Sequence, residues 1–366
     1  MLSRFINILV VIVFPLLLLL GCNDSVILPD DTIIHSNDGM YILCEGLWRQ
    51  DNSTLSHYDF STSTLVNNVF SVANPSLRLG DTGNDILYYN GKCYVAVSTS
   101  KSIEVFQAGT TKSIGRIVFD GKIEPRSLTI LNDTLGYVTT LGDDSVIEFN
   151  PSTFQRKKRF TVGPAPEGIA HWKNLVFVAN SGYGDFRAKE PLAGSISIID
   201  AFTSSVVKSV YVGPNLLTIT VDTLSNKLYC YYAHLPSQKD SLGGIVQYSL
   251  PDLIELNRWR IKSARSFSLY NQNSFLLFLT NDGIAKLDVN TKGSKPEVFI
   301  KNSKPNEIWT GVSYNSNMSN PSFIVSNSKN YSVNGSIMMF SKDGVLMKEL
   351  QVGLNPTKHC YNSLTR

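Results

Sequence analysis

The chain has 366 residues, and its 33 Lys and Arg nearly balance 30 Asp and Glu, for a formal charge of +3. With 17% of residues charged there is no basic field of the kind that holds nucleic acid. The one basic run, Arg156-Lys157-Lys158-Arg159, is isolated and reads as the solvated face of a strand, so nucleic acid is excluded as a partner.

The first element in chain order is a signal and not part of the fold. Arg4 gives a weakly positive start, and "INILVVIVFPLLLLL" follows. This apolar core of about fifteen residues suits a signal h-region and is short for a spanning helix. It ends in Leu19-Leu20-Gly21-Cys22. A small residue directly before a cysteine resembles the lipobox of bacterial lipoproteins. That resemblance implies cleavage before Cys22 and lipid on its thiol and new amine. The alternatives are a transmembrane anchor and an ordinary secretory signal, which would want small residues at two positions. Residues 23–38 carry Asp24, Asp30, Asp31 and Asp38 with little periodicity, and read as a flexible tether. The expected organisation is a signal at 1–21, a lipidated cysteine and tether at 22–38, and one domain over 39–366.

From residue 39 a single unit recurs: turn, apolar strand, polar loop, second strand, turn, third strand. The first copy spans 39–71, and others span 90–119, 133–163, 174–213, 226–261, 273–300 and 321–353. The fourth shows the unit most plainly. Leu175-Val176-Phe177-Val178-Ala179 is β-branched and aromatic, and breaks abruptly into Asn180-Ser181-Gly182-Tyr183-Gly184. Each copy is preceded by a strand such as "PEGIAHW", except the first. The C-terminal stretch "VGLNPTKHCYNS" parallels "VGPAPEGIAHW" and supplies the missing strand. Four-stranded units at a period of roughly 40–50 residues are propeller blades. The fold predicted is an all-β propeller of about seven four-stranded blades, with six or eight as alternatives, its ring closed by the C-terminal strand completing the first blade. Cys44, Cys93 and Cys230 lie in apolar strand runs and read as small buried hydrophobes, so no disulfide framework is expected.

The tracts "YVTTLGDDSVIEFN", "VFVANSGYG" and "GSISIID" resemble YVTN-type propeller repeats of exported bacterial proteins. "CEGLWRQDNSTLSHYD" followed by "LGDTGNDI" resembles the propeller lipoproteins of Bacteroidota-like bacteria. Those lipoproteins are often paired with TonB-dependent outer-membrane transporters, and one branch captures cobalamin at the cell surface. The resemblance implies an outer-membrane lipoprotein, surface-exposed or facing the periplasm, held to the membrane by its lipid alone. It implies ligand capture for such a transporter, a corrinoid being the first candidate and no cofactor being required.

In a propeller, the loops between second and third strands share one face. Four are long here and bear rim residues suited to a flat, partly apolar ligand: Trp48 and Arg49, then Tyr183, Phe186 and Arg187, then Tyr232, then Tyr331. Aligning the inner strands places Asn84, Arg126 and Glu167 at the channel entrance with Thr357, and Arg265 and Glu307 nearby. A metal-dependent hydrolase or lactonase would want carboxylates converging on one cation. Asp81, Glu124, Glu167 and Glu307 are candidates, but Arg126 among them opposes a metal, and none is expected. The five histidines are scattered, G-x-S-x-G is absent, and "GDTGND" opens no helix. The four tryptophans do not recur at the blade period, which argues against a quinone-dependent dehydrogenase. No catalytic residue is therefore assigned. A binder is favoured over a scaffold for a partner protein or envelope glycan, and over a metal-dependent hydrolase.

Overall fold

Seven four-stranded antiparallel sheets account for every strand of the computed structural model, which describes residues 38–238, 241–270, 274–315 and 322–362. The expected signal segment and Cys22 lie outside the described residues. Blade four follows the chain directly: Pro166–Trp172, Leu175–Asn180, Ser195–Asp200 and Ser205–Tyr211, from the inside outwards. Blades two, three, five, six and seven repeat that order. Blade one does not. Its inner strand is the C-terminal Pro356–Tyr361, paired antiparallel with Gly39–Cys44, followed by Thr54–Asp59 and Thr64–Val66. The ring is thus closed by hydrogen bonds between the two ends of the propeller, as the parallel between the two "VG" stretches predicted.

The burial of each strand follows from its place in the blade. Second strands are enclosed by neighbouring blades on both faces, so "VFVA" and "CYVAV" are continuous apolar runs. Outer strands are wet: Arg156–Thr161 keeps its basic run exposed. Among the described residues there is no single core. Seven hydrophobic clusters fill the seven seams, each built from two adjacent blades. Between blades four and five, for example, Phe177 and Ile196 meet Leu216, Leu228 and Tyr248. A chain too long for one core is stable because each unit buries itself against the next. Cys44, Cys93, Cys230 and Cys360 are buried free thiols within these seams.

One segment departs from the strand pattern. The outer strand of blade one ends at Val66, where Asn68 turns left-handed (φ 57°) and Val69–Ala73 forms a short helix. Its Val69 and Phe70 are buried in the seam between blades one and two. Five residues are too few to show a helical period in sequence.

Two faces follow from this connectivity. Loops from second to third strand, and connectors from outer to inner strand, form the loop face. Hairpins joining inner to second and third to outer strands form the turn face.

Candidate functional site

Each inner strand carries a bulge near its start. The register breaks at Asn84, Arg126, Glu167, Leu217, Ser266, Thr310 and Thr357. A bulge leaves one residue unpaired and re-aims its side chain. All seven positions are partly exposed, lying where the inner strands converge at the loop face. Asn84, Arg126, Glu167 and Thr357 thus occupy equivalent bulge positions of four inner strands. Arg265 precedes the bulge of its strand and donates to Asn281 Oδ1 (3.1 Å). Glu307 lies before its strand and is taken up by Asn327 and Lys304.

Arg126 is the centre of this entrance. Its Nε donates to Glu167 Oε2 at 2.8 Å and its Nη1 to Asn84 Oδ1, joining blades two, three and four. Burial opposes the charge on Arg126, yet the Glu167 and Glu45 carboxylates together hold its affinity for the proton above the ordinary range. Glu45 and Tyr183 both lie within electrostatic reach of the guanidinium. Burial pushes the Glu45 carboxyl up, and Arg126 partly reverses this. Sequence reasoning passed over Glu45. It occupies the first residue after a second strand, which is Ser98, Leu141, Ser181, Ala233, Thr280 and Ser328 in the other blades. A charge among those uncharged residues was the available signal.

Below the entrance the inner strands are stitched by polar side chains. Leu128 N–H donates to Asp85 Oδ2 (2.9 Å), and Lys358 reaches Asp85 at 3.6 Å. Thr129 Oγ1 bonds His171 Nδ1 (2.7 Å), and His359 sits between Ser313 and Ser326 (2.9 and 2.7 Å). Burial lowers the affinity of both histidines for a proton, His359 to a pKa of about 3. These are structural histidines.

The rim residues divide into two groups. Trp48, Tyr183, Phe186 and Tyr331 are exposed on the loop face, Phe186 at 86%. Tyr183 and Phe186 lean together with ring centroids 5.6 Å apart, and Arg49 stacks on Trp48 at 4.1 Å. Backbone N–H groups of Arg49 and Asp51 donate to the buried Asp81 carboxylate, which fixes that loop. Two expected ligand contacts are otherwise engaged. Arg187 is clamped by both oxygens of Asp144 (2.7 and 2.6 Å) and both of Glu190 (2.8 and 2.6 Å), tying its loop to blade three. Those hydrogen bonds hold the Asp144 carboxyl below its usual range. Tyr232 ends the second strand of blade five and is 8% exposed, its ring filling the space left by Gly213 and Gly244. Both serve the scaffold under the rim.

The carboxylates considered for a cation are dispersed. Asp81 serves the backbone, Glu167 pairs with Arg126, and the Glu124 carbonyl accepts from Leu141. Among the described residues no group of three His, Cys, Asp or Glu is arranged to hold a metal ion.

Fold and entrance together define a seven-bladed β-propeller with a charged channel mouth inside a loop-built aromatic rim. The chain belongs to the family described as "Domain of unknown function (DUF5074)", whose profile matches residues 38–358. No curated protein matches it. Solved propellers share the fold at low identity. A quinonprotein alcohol dehydrogenase-like protein from Bacteroides thetaiotaomicron is 16% identical with a TM-score of 0.68, over 89% of this chain and 79% of that one. A candidate 6-phosphogluconolactonase from Bacteroides uniformis is 13% identical with a TM-score of 0.60, over 88% and 99%. The hydrazine synthase of Kuenenia stuttgartiensis is 14% identical with a TM-score of 0.62, over 76% and 89%.

Proposed function

We propose that this protein is a ligand-binding, non-enzymatic propeller, lipid-anchored at Cys22 in the outer membrane. In this reading it captures cobalamin or a related corrinoid for a TonB-dependent transporter. The observation that carries the binding reading is the pairing of two features on one face. Exposed aromatics stand on the rim loops, and at the inner-strand bulges a guanidinium bridges Glu167 and Asn84 within electrostatic reach of Glu45. Flat apolar surface offers stacking area, while Arg126, Asn84, Glu45 and Glu167 offer donors and acceptors to polar substituents. A corrin ring edged with amides presents both. The YVTN-like tracts and the "CEGLWRQDNSTLSHYD" stretch supply the reason to begin with corrinoids.

The test is calorimetric titration of cobalamin into the purified protein, with Phe186→Ala and Tyr183→Ala beside the wild type. Binding at micromolar concentration or below, weakened by either variant, supports the reading. Absence of binding removes the corrinoid and favours a scaffold for a protein or envelope glycan.

A further inference from the structure

We propose that Cys93 and Cys360 form a disulfide bond that fastens the closing strand of the ring to blade two. The proposal stands apart from the ligand reading and from any membrane anchor. In the structure both are free thiols, as are Cys44 and Cys230. These four described thiols are divided among three seams. Cys230 lies between blades four and five and Cys44 between blades seven and one, each without a second thiol in its cluster. Cys93 and Cys360 share the seam between blades one and two.

Strand alternation puts them there, since successive side chains of a strand point to opposite faces. Cys93, Val95 and Val97 of blade two's second strand face this seam, whereas Tyr94 and Ala96 face blade three. Across the seam, Cys360 lies opposite Tyr41 in the blade-one ladder, and Tyr41 and Leu43 turn to the same cluster. Depth agrees as well. Cys93 is second in a strand that starts at the turn face, and Cys360 is next to last in a strand that ends there. Tyr41 lies within electrostatic reach of both thiols. The neighbouring Cys360 adds to burial in raising the affinity of Cys93 for its proton. Shared seam, shared depth and mutual influence place the two sulfurs side by side.

The closing strand has the most to gain from a cross-link. Every other inner strand runs through a hairpin into the second strand of its own blade, whereas Pro356–Tyr361 meets Gly39–Cys44 from the far end of the chain. A bond from Cys360 to Cys93 closes a loop through blades two to seven, and the longer the loop, the more a cross-link restricts the unfolded chain. The step is thiol–disulfide exchange with a small disulfide such as oxidised glutathione. While the closing strand is undocked, one cysteine thiolate attacks the reagent, which releases one reduced thiol. When the strand docks, the second cysteine sulfur displaces the other, and the S–S bond forms. The two cysteine protons end on the two released thiols, and two electrons pass to the reagent.

Purified full-length protein is incubated with oxidised glutathione in denaturant below its unfolding midpoint, where strand ends open, and is then returned to buffer. Remaining thiols are alkylated under full denaturation and the peptides mapped by mass spectrometry. Expected is a peptide pair joined through Cys93 and Cys360, with Cys44 and Cys230 alkylated. Reductant should lower the melting midpoint of this oxidised protein by several degrees, and that shift should vanish in Cys93→Ala and Cys360→Ala. Alkylation of both Cys93 and Cys360, either one joined to a different cysteine, or a midpoint indifferent to reductant overturns the proposal. The peptide map is made on the wild type, so the proposal stands or falls even where a variant does not fold.

Discussion

Arg126 bridges Glu167 and Asn84 and feels the Glu45 carboxylate, and removing it tests what it does there. Arg126→Met removes the cation that Glu167 accepts from and that acts electrostatically on Glu45. The variant is expected to lose on the order of 1–3 kcal/mol at pH 8, discounted from a fully buried pair because a third of the Arg126 side chain is exposed. The loss has a sign in pH. A carboxyl whose folded pKa is raised binds its proton more tightly in the native state, so stability falls as pH rises from the ordinary carboxyl range through the folded value. Glu45 already behaves this way, and losing Arg126 pushes it further up. Thermal melts at pH 5 and pH 8 should therefore show a smaller deficit at pH 5. An equal deficit at both would mean that Arg126 acts by packing alone.

His359 runs in the opposite sense. Its folded pKa is about 3, so the unfolded chain takes the proton first, and stability drains as pH falls below the ordinary imidazole range. His359→Gln is expected to be less stable at pH 7 by about 1 kcal/mol, for lost hydrogen bonds, with the gap closing towards pH 5. A gap that widens on acidification would contradict the assignment of His359 as buried and neutral.

Side chains on the rim were legible by type but not by fate. Phe186 and Trp48 are exposed as their loops suggested, whereas Arg187 and Tyr232 are not available. The partner of Arg187 is Asp144, on the loop of the preceding blade, and nothing in the local sequence couples the two. Tyr232 looked like the start of a loop, but Gly213 and Gly244 leave a slot for its ring. Tyr232→Ala should consequently cost about 3–5 kcal/mol in stability, the price of emptying a core aromatic site. Phe186→Ala should leave the melting curve unchanged. Denaturant unfolding of both variants separates the two roles.

Among the elements, second strands were the easiest to read, since enclosure by two blades demands an unbroken apolar run. The closing strand was legible for a different reason: its "VGLNP" repeats the turn that begins an inner strand. The bulges were not legible as bulges. They depend on how closely the inner strands approach at the centre of the disc. A Cβ at Gly311 would meet the Thr357 carbonyl oxygen at 2.5 Å, across the seam between blade seven and the closing strand. Gly311→Ala is therefore expected to destabilise the domain by about 1–3 kcal/mol, because backbone on the far side has little room to yield. Deleting residues 354–366 removes the inner strand of blade one altogether and opens two buried edges. Calorimetry should show the single cooperative transition lost across the whole domain. A deletion that melts like the wild type would mean the ring does not depend on that closure.

The propeller is a ring whose stability is distributed over seven seams, which frees one face to vary its loops without endangering the fold. On that face the long loops of blades one, four and seven bring exposed rings to the rim, and the entrance between them is charged. The direct measurement is isothermal titration of cobalamin into wild type, Phe186→Ala and Arg187→Ala, with melting curves recorded on the same samples. Expected are micromolar or tighter binding to the wild type, about tenfold weaker binding to Phe186→Ala at unchanged stability, and lowered stability in Arg187→Ala. No heat of binding to a folded wild type, or an affinity indifferent to Phe186, would contradict a corrinoid site on this face.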